Sequence, residues 1–217
     1  AYVMPAHQFP TGAVMPVGRR LELLGWAKEK ENRYLIEDDY DSEFRYKGKP
    51  IPALQSLDRQ EKVIYMGTFS KSIAPAIRVS YLVLPRRLLT LYEQNCSFLS
   101  STVSRIDQAV LNRFIAEGYF ERYLNKQEKM LECLEPFRDR FVIAGEEAGL
   151  HILLMPKDKD VTEQMLIQKA RQQGCKVYGL SDYQIIKKET HRVMLGYASL
   201  SLSGIEEGMG LLEKAWL

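Results

Sequence analysis

The chain of 217 residues and 25.0 kDa carries 30 Lys+Arg against 28 Asp+Glu, a formal charge of +2. With 46% hydrophobic and 27% charged residues it has the composition of a folded globular protein, which excludes a disordered, collagenous or disulfide-stapled chain. The near-neutral balance leaves no basic excess that would make nucleic acid the main partner of this segment.

Three widely spaced cysteines, Cys96, Cys133 and Cys175, form no C-x-x-C pair. They point to neither a zinc ribbon nor a redox couple, but to reduced thiols in a cytoplasmic protein. Apolar runs such as Tyr81-Leu82-Val83-Leu84 are far too short to span a bilayer, and no signal-peptide pattern is visible.

Taken in chain order, Tyr2-Val3-Met4 reads as a short strand and Pro5 to Gly12 as a loop. A helix starts near Pro16, a residue suited to a first helical turn, with Val17, Leu21, Leu24 and Ala27 on an apolar face. Tyr34-Leu35-Ile36 is a buried-type strand that ends in the acids Glu37, Asp38, Asp39 and Asp41. A loop with Gly48, Pro50 and Pro52 follows. Val63 to Met66 is a strand, Gly67 to Pro75 a polar loop, and Ile77 to Leu84 another strand. Arg86 to Asn95 and Ser104 to Glu117 are helices, and a longer helix runs from about Tyr119 to Arg140, carrying Met130, Leu134, Phe137 and Phe141. Leu150 to Met155, Lys176 to Leu180 and Arg192 to Tyr197 are strands. Val161 to Gln172 is a helix, and the last helix places Ile205, Met209, Leu212 and Trp216 on one face. Alternating strand and helix in the first part predict an α/β layer, and the last part predicts a small α+β unit. The domains expected are residues 1–120 and 121–217.

Two segments hold candidate chemistry. Asp38 stands at a strand end, where open α/β sheets bind ligands, and a carboxylate beside an apolar strand is costly unless it meets a cation or donor. Gly67-Thr68-Phe69-Ser70-Lys71-Ser72, followed by Arg78, sets hydroxyls and an arginine in one loop, as a phosphate requires. Its lysine could form a Schiff base with a carbonyl cofactor. Taken singly, each segment is as well explained by a solvated turn or a surface lysine. Together they form the set that pyridoxal phosphate needs: a lysine for the imine, a carboxylate that keeps the ring nitrogen protonated, and donors for the phosphate.

Ile36-Glu37-Asp38-Asp39-Tyr40-Asp41-Ser42-Glu43-Phe44, Ile51-Pro52-Ala53-Leu54-Gln55 and Tyr65-Met66-Gly67-Thr68-Phe69-Ser70-Lys71-Ser72 resemble, in order, segments of the MocR/GabR regulators. Pro5-Ala6-His7-Gln8-Phe9-Pro10-Thr11-Gly12 is similar to their variant of the aminotransferase Asn-Pro-Thr-Gly loop. These are bacterial GntR-type regulators in which a winged helix is fused to an aminotransferase-like domain. The resemblance is specific to about residue 84 and collinear to the end. It implies the C-terminal portion of a fold type I domain: part of the large α/β sheet plus the small α+β domain. It further implies that Lys71 carries pyridoxal 5'-phosphate, that Asp38 pairs with the pyridine nitrogen, that Tyr40 bonds the ring hydroxyl, and that Arg78, Thr68 and Ser70 hold the phosphate. Phe9 stands where ordinary aminotransferases have an asparagine. The function implied is sensing of an amine or amino acid effector by a homodimeric transcription regulator; the alternative is a working class I/II aminotransferase.

One departure bears on that choice. In the late segment Leu195 to Leu200, Ser199 occupies the place of the family's substrate-carboxylate arginine. A neutral serine bond contributes about 1 kcal/mol, against about 1.5–3 kcal/mol for a bond to a charged group. Arg192, at odd spacing from Ser199, would face the other way. Efficient capture of an ordinary α-carboxylate is therefore not expected. His7, His151 and His191 read as structural or exposed, Lys126 to Arg140 as a solvated helix face, and Trp26 and Trp216 as packing residues. No winged helix lies within the chain, so DNA contact is expected only through a domain upstream of Ala1, and the chain reads as a C-terminal part of a longer protein.

Overall fold

A computed structural model describes residues 1–43, 52–73, 76–120, 128–146, 149–198 and 200–217, without the side chains of residues 71, 72, 128 and 129. The chain divides into two compact units. The first comprises Ala1–Gln8, Val14–Ser42 and the described part of Lys49–Tyr123; the second comprises Phe9–Ala13, Glu43 and the described part of Leu124–Leu217.

The first unit is an α/β layer. Its sheet has the order β1 (Tyr2–Val3), β2 (Leu35–Asp39), β3 (Val63–Thr68), β4 (Ser80–Val83). The first three strands run parallel and β4 is antiparallel to β3. One face of β2 buries Leu35, Glu37 and Asp39. There Leu35, Val63 and Leu54 of α2 (Leu54–Leu57) pack with Ala27 of α1 (Val17–Lys28), flanked by Val3, Leu23 and Leu24. The opposite face carries Tyr2, Ile36 and Leu82, all exposed. A four-residue turn of helix, α3 (Phe69–Ser72), follows β3 directly, and α4 (Arg86–Cys96) and α5 (Arg105–Ala116) follow β4. Ser104 caps α5 by accepting the Asp107 N–H at 3.1 Å, one of the donors a helix start leaves unmet.

The second unit has an antiparallel sheet of order β5 (Phe141–Ala144), β6 (His151–Pro156), β8 (Val193–Gly196), β7 (Tyr178–Gly179). Among the described residues its α-helices are α6 (Glu128–Cys133), α7 (Glu163–Gln172) and α8 (Leu202–Trp216). The apolar stripe of α8, with Ile205, Met209, Leu212 and Trp216, is buried as its spacing predicts. Trp216 packs edge-on against Phe137 and tilted against Phe141, and donates its indole N–H to the Leu166 carbonyl at 3.0 Å. Thr162 and Ser201 cap α7 and α8 by accepting the N–H of Met165 and Gly204.

Several expectations are corrected. On α1, Val17 and Leu21 are exposed and Arg20 is buried instead, because Arg20 has three backbone carbonyls to bind. The strand β2 does not stop before its acids but runs through Asp39; each inward-facing carboxylate finds donors there. Gly67 and Thr68 belong to β3, and part of the supposed loop after them is α3. Phe141 opens a strand rather than ending a helix, since Pro136 lacks the N–H that a continuing helix requires. The segment with Gly48 and Pro50, the middle of the expected long helix, and Ser199 lie outside the described residues.

Candidate cofactor site

Because β1, β2 and β3 are parallel, their C-terminal ends share one edge of the sheet, which is where open α/β sheets hold ligands. Asp38 lies opposite Met66 near the end of β2, and β3 continues past Met66 into Thr68 and then α3, which carries Lys71. The antiparallel β4 starts at this same edge, with Ser80 opposite Thr68. Arg78, two residues earlier, is thereby brought there too, and it is exposed. The backbone of Lys71 is placed on the turn; its side chain is outside the described residues.

Alternation along β2 separates three acids by face. Glu37 and Asp39 point inward and Asp38 to the other side. Glu37 accepts the backbone N–H of Leu54 at 2.7 Å and of Gln55 at 2.8 Å. Asp39 accepts from the Ser42 amide and hydroxyl and, at 2.7 Å, from the Tyr65 hydroxyl. Burial and this partner hold the Tyr65 phenol well above its usual range. Asp38, half-buried, accepts from the Tyr2 hydroxyl. Among the described residues this is the one hydrogen bond to its carboxylate.

Tyr40 donates to the His7 carbonyl at 2.8 Å. Burial first, then the charges of Asp41, Asp38 and Asp39, raise its phenol far above the ordinary value, so it stays protonated. His7 is itself buried, with Nδ1 2.8 Å from Asp41 Oδ2. The loop that carries His7 is pinned by Arg20, whose guanidinium donates to the carbonyls of Pro5 and Pro52 at 2.7 Å each and of Met15 at 3.0 Å.

Thr68 and Ser70 are brought together with Arg78, but through the backbone. The Thr68 hydroxyl accepts the Ser70 N–H at 3.2 Å and donates to the Val79 carbonyl at 3.3 Å. The Ser70 hydroxyl donates to the Ile77 carbonyl at 2.6 Å. Both protons tie the Lys71 turn to the segment leading into β4, rather than pointing outward. In the second unit, Phe9 packs edge-on against Tyr183 and His151, with ring centres 5.0 and 5.5 Å apart.

Sequence reasoning missed Tyr2, Glu37, Arg20 and the His7–Asp41 pair. Tyr2 left a usable signal: strand alternation sets it on the face of Ile36 and Asp38 once β1 is known to pair with β2. Arg20 and Glu37 left none, because a charged residue on a helix or strand reads as solvated.

Residues 8–208 match the model of the aminotransferase class I and II family. The chain belongs to that family. Among curated relatives, the HTH-type transcriptional regulators YdeL and YhdI of Bacillus subtilis are 42% and 40% identical over 99% of this chain. The probable rhizopine catabolism regulatory protein MocR of Rhizobium meliloti is 32% identical over all of it. The chain covers 48%, 47% and 45% of these three proteins, about half their length. Among solved structures, the α-aminoadipate aminotransferase LysN of Thermus thermophilus superposes with a TM-score of 0.75 at 25% identity, covering 99% of this chain and 57% of that one. A kynurenine aminotransferase of Pyrococcus horikoshii gives 0.72 at 27%, covering 99% and 55%. The expected fold class, part of an aminotransferase-like α/β domain, and the resemblance to the MocR-type regulators are both borne out. Among the described residues no helix is long and apolar enough to cross a membrane.

The donor set at the sheet edge fits pyridoxal phosphate. Asp38 offers a carboxylate oxygen beyond the one bound by Tyr2, which suits a cationic ring nitrogen. Arg78 offers an exposed cation on the same edge, which suits a phosphate.

Proposed function

We propose that this chain is the aminotransferase-like, effector-sensing part of a transcription regulator. In that reading it binds pyridoxal 5'-phosphate through Lys71 and responds to an amine or amino acid. The observation that carries the cofactor reading is the convergence at one sheet edge of the Asp38 carboxylate, the turn bearing Lys71, and Arg78. What favours a regulator is the kinship with HTH-type regulators over nearly the whole chain.

When bound, pyridoxal phosphate supplies an electrophilic carbon and a ring that accepts electrons once its nitrogen is protonated. The chain's own residues have the following parts. Lys71 holds the cofactor covalently. Asp38 keeps a proton on the ring nitrogen by presenting a negative charge to it. Tyr40, a protonated phenol fixed by the His7 carbonyl, orients the ring. Arg78 pairs with the phosphate, while Thr68 and Ser70, whose hydroxyl protons go to the Val79 and Ile77 carbonyls, brace the turn under Lys71. DNA binding falls to a winged-helix domain upstream, and the parent acts as a homodimer in the cytoplasm.

The full-length protein incubated with pyridoxal phosphate should show the near-visible absorbance of lysine-bound cofactor, and Lys71→Ala should abolish it. A spectrum unchanged by Lys71→Ala would remove that lysine from the site. The alternative reading is catalytic amino-group transfer. Rapid multiple turnover with an amino acid and a keto acid would decide for it and against a sensor.

A further inference from the structure

We propose that Tyr2 is a positioning residue of the cofactor site: its phenol O–H donates to Oδ2 of Asp38, aims that carboxylate, and leaves Oδ1 for the protonated ring nitrogen. The inference rests on the cofactor reading above and adds a residue to it.

The geometry starts from strand pairing. Tyr2 of β1 lies opposite Ile36 of β2. In parallel strands, side chains two residues apart share a face, so Tyr2 and Asp38 rise from one side of the sheet while Val3 turns to the core on the other. Tyr2 is therefore set beside Asp38 by backbone register, not by a chance side-chain conformation. Among the described residues it is the sole hydrogen-bond partner of that carboxylate.

The chemistry follows from proton affinity. A donor to the charged form of a carboxylate favours that form and makes it a weaker base. A carboxylate so bonded leaves the shared proton on the ring nitrogen instead of drawing it to itself. Burial, followed by the bond to Asp38 and the Asp38 charge, pushes the Tyr2 phenol up to about 12. At neutral pH Tyr2 is therefore a donor throughout.

The test uses the full-length protein and two cofactors: pyridoxal phosphate and its analogue in which C–H replaces the ring nitrogen. Tyr2→Phe should weaken pyridoxal phosphate binding about tenfold, the worth of one bond to a charged group, while the analogue's Kd stays within about twofold. In parallel, the ¹⁵N resonance of the bound ring nitrogen should move toward its unprotonated position. Equal weakening of both cofactors, or no weakening of either, would overturn the proposal, since Tyr2 would then act on packing or not at all. Parent protein that binds neither cofactor would overturn the underlying cofactor reading. Parent protein that binds both, with Asp38→Asn leaving their ratio unchanged, would remove Asp38 from the nitrogen and Tyr2 with it.

Discussion

Glu37 and Leu54 stand on either side of a long connection, yet Oε1 of Glu37 accepts the Leu54 N–H at 2.7 Å in a buried setting. Oε2 accepts the next amide, Gln55, at 2.8 Å. The carboxylate thus serves as the cap of α2, a helix whose own N-cap residue, Ala53, has no side chain to do so. The Pro52-Ala53-Leu54-Gln55 segment and the Glu37-Asp38-Asp39-Tyr40 segment are therefore one structural device. Arg20 binds the same segment through the Pro52 carbonyl.

Glu37 should make stability depend on pH. Burial is the largest influence on it and pushes its carboxyl up; the two amides oppose this. A carboxyl raised in the folded state holds its proton more tightly there than in the unfolded chain. Its contribution is fully present below about pH 4.3 and is lost as pH rises through the raised value. Glu37→Gln should remove that decline. It should also cost about 1–2 kcal/mol at neutral pH, because an amide offers one acceptor oxygen to two N–H groups. Urea unfolding at a series of pH values measures both effects, and an unaltered pH slope would refute the assignment.

Arg20 should not tolerate lysine. Its guanidinium reaches three carbonyls in fixed directions, whereas an ammonium is a point donor on a flexible stem. Arg20→Lys should cost about 2 kcal/mol and Arg20→Met about 3 kcal/mol or more, through carbonyls left buried without donors. Thermal denaturation checks the order; equal melting temperatures for Lys and Arg would refute it.

Gly179→Ala should destabilise the second unit. A Cβ there would fall 2.1 Å from Glu163 Oε1. Glu163 cannot step aside, since it is buried and accepts from the Ser181 amide and hydroxyl and the Thr190 hydroxyl. Overpacking of this kind costs about 1–3 kcal/mol. Pairing it with Glu163→Ala should return part of that loss, which a double-mutant cycle reads directly.

Trp216→Phe should keep the aromatic packing on Phe137 and Phe141 but strand the Leu166 carbonyl. The expected cost is about 1 kcal/mol, with loss of the buried component of tryptophan fluorescence. Trp26, more exposed and stacked under Arg33, would supply the emission that remains.

What the amino-acid sequence determined by itself is local and chemical. Period 3.6 placed Ile205, Met209, Leu212 and Trp216 on one buried face, and short apolar runs marked Leu35 and Val63 as strand residues of the core. The motif around Asp38 and the one around Lys71 were enough to name the family. Tertiary structure decided which polar groups face what. Arg20 displaced Val17 and Leu21 from the buried side of α1 because three carbonyls lay within reach of it. β2 could run on through Glu37 and Asp39 because Leu54, Gln55, Ser42 and Tyr65 supply donors from other segments. Tyr2 met Asp38 only because β1 pairs with β2 in one register. Such choices depend on partners distant in sequence, and desolvating a charge is favourable or ruinous according to whether those partners arrive.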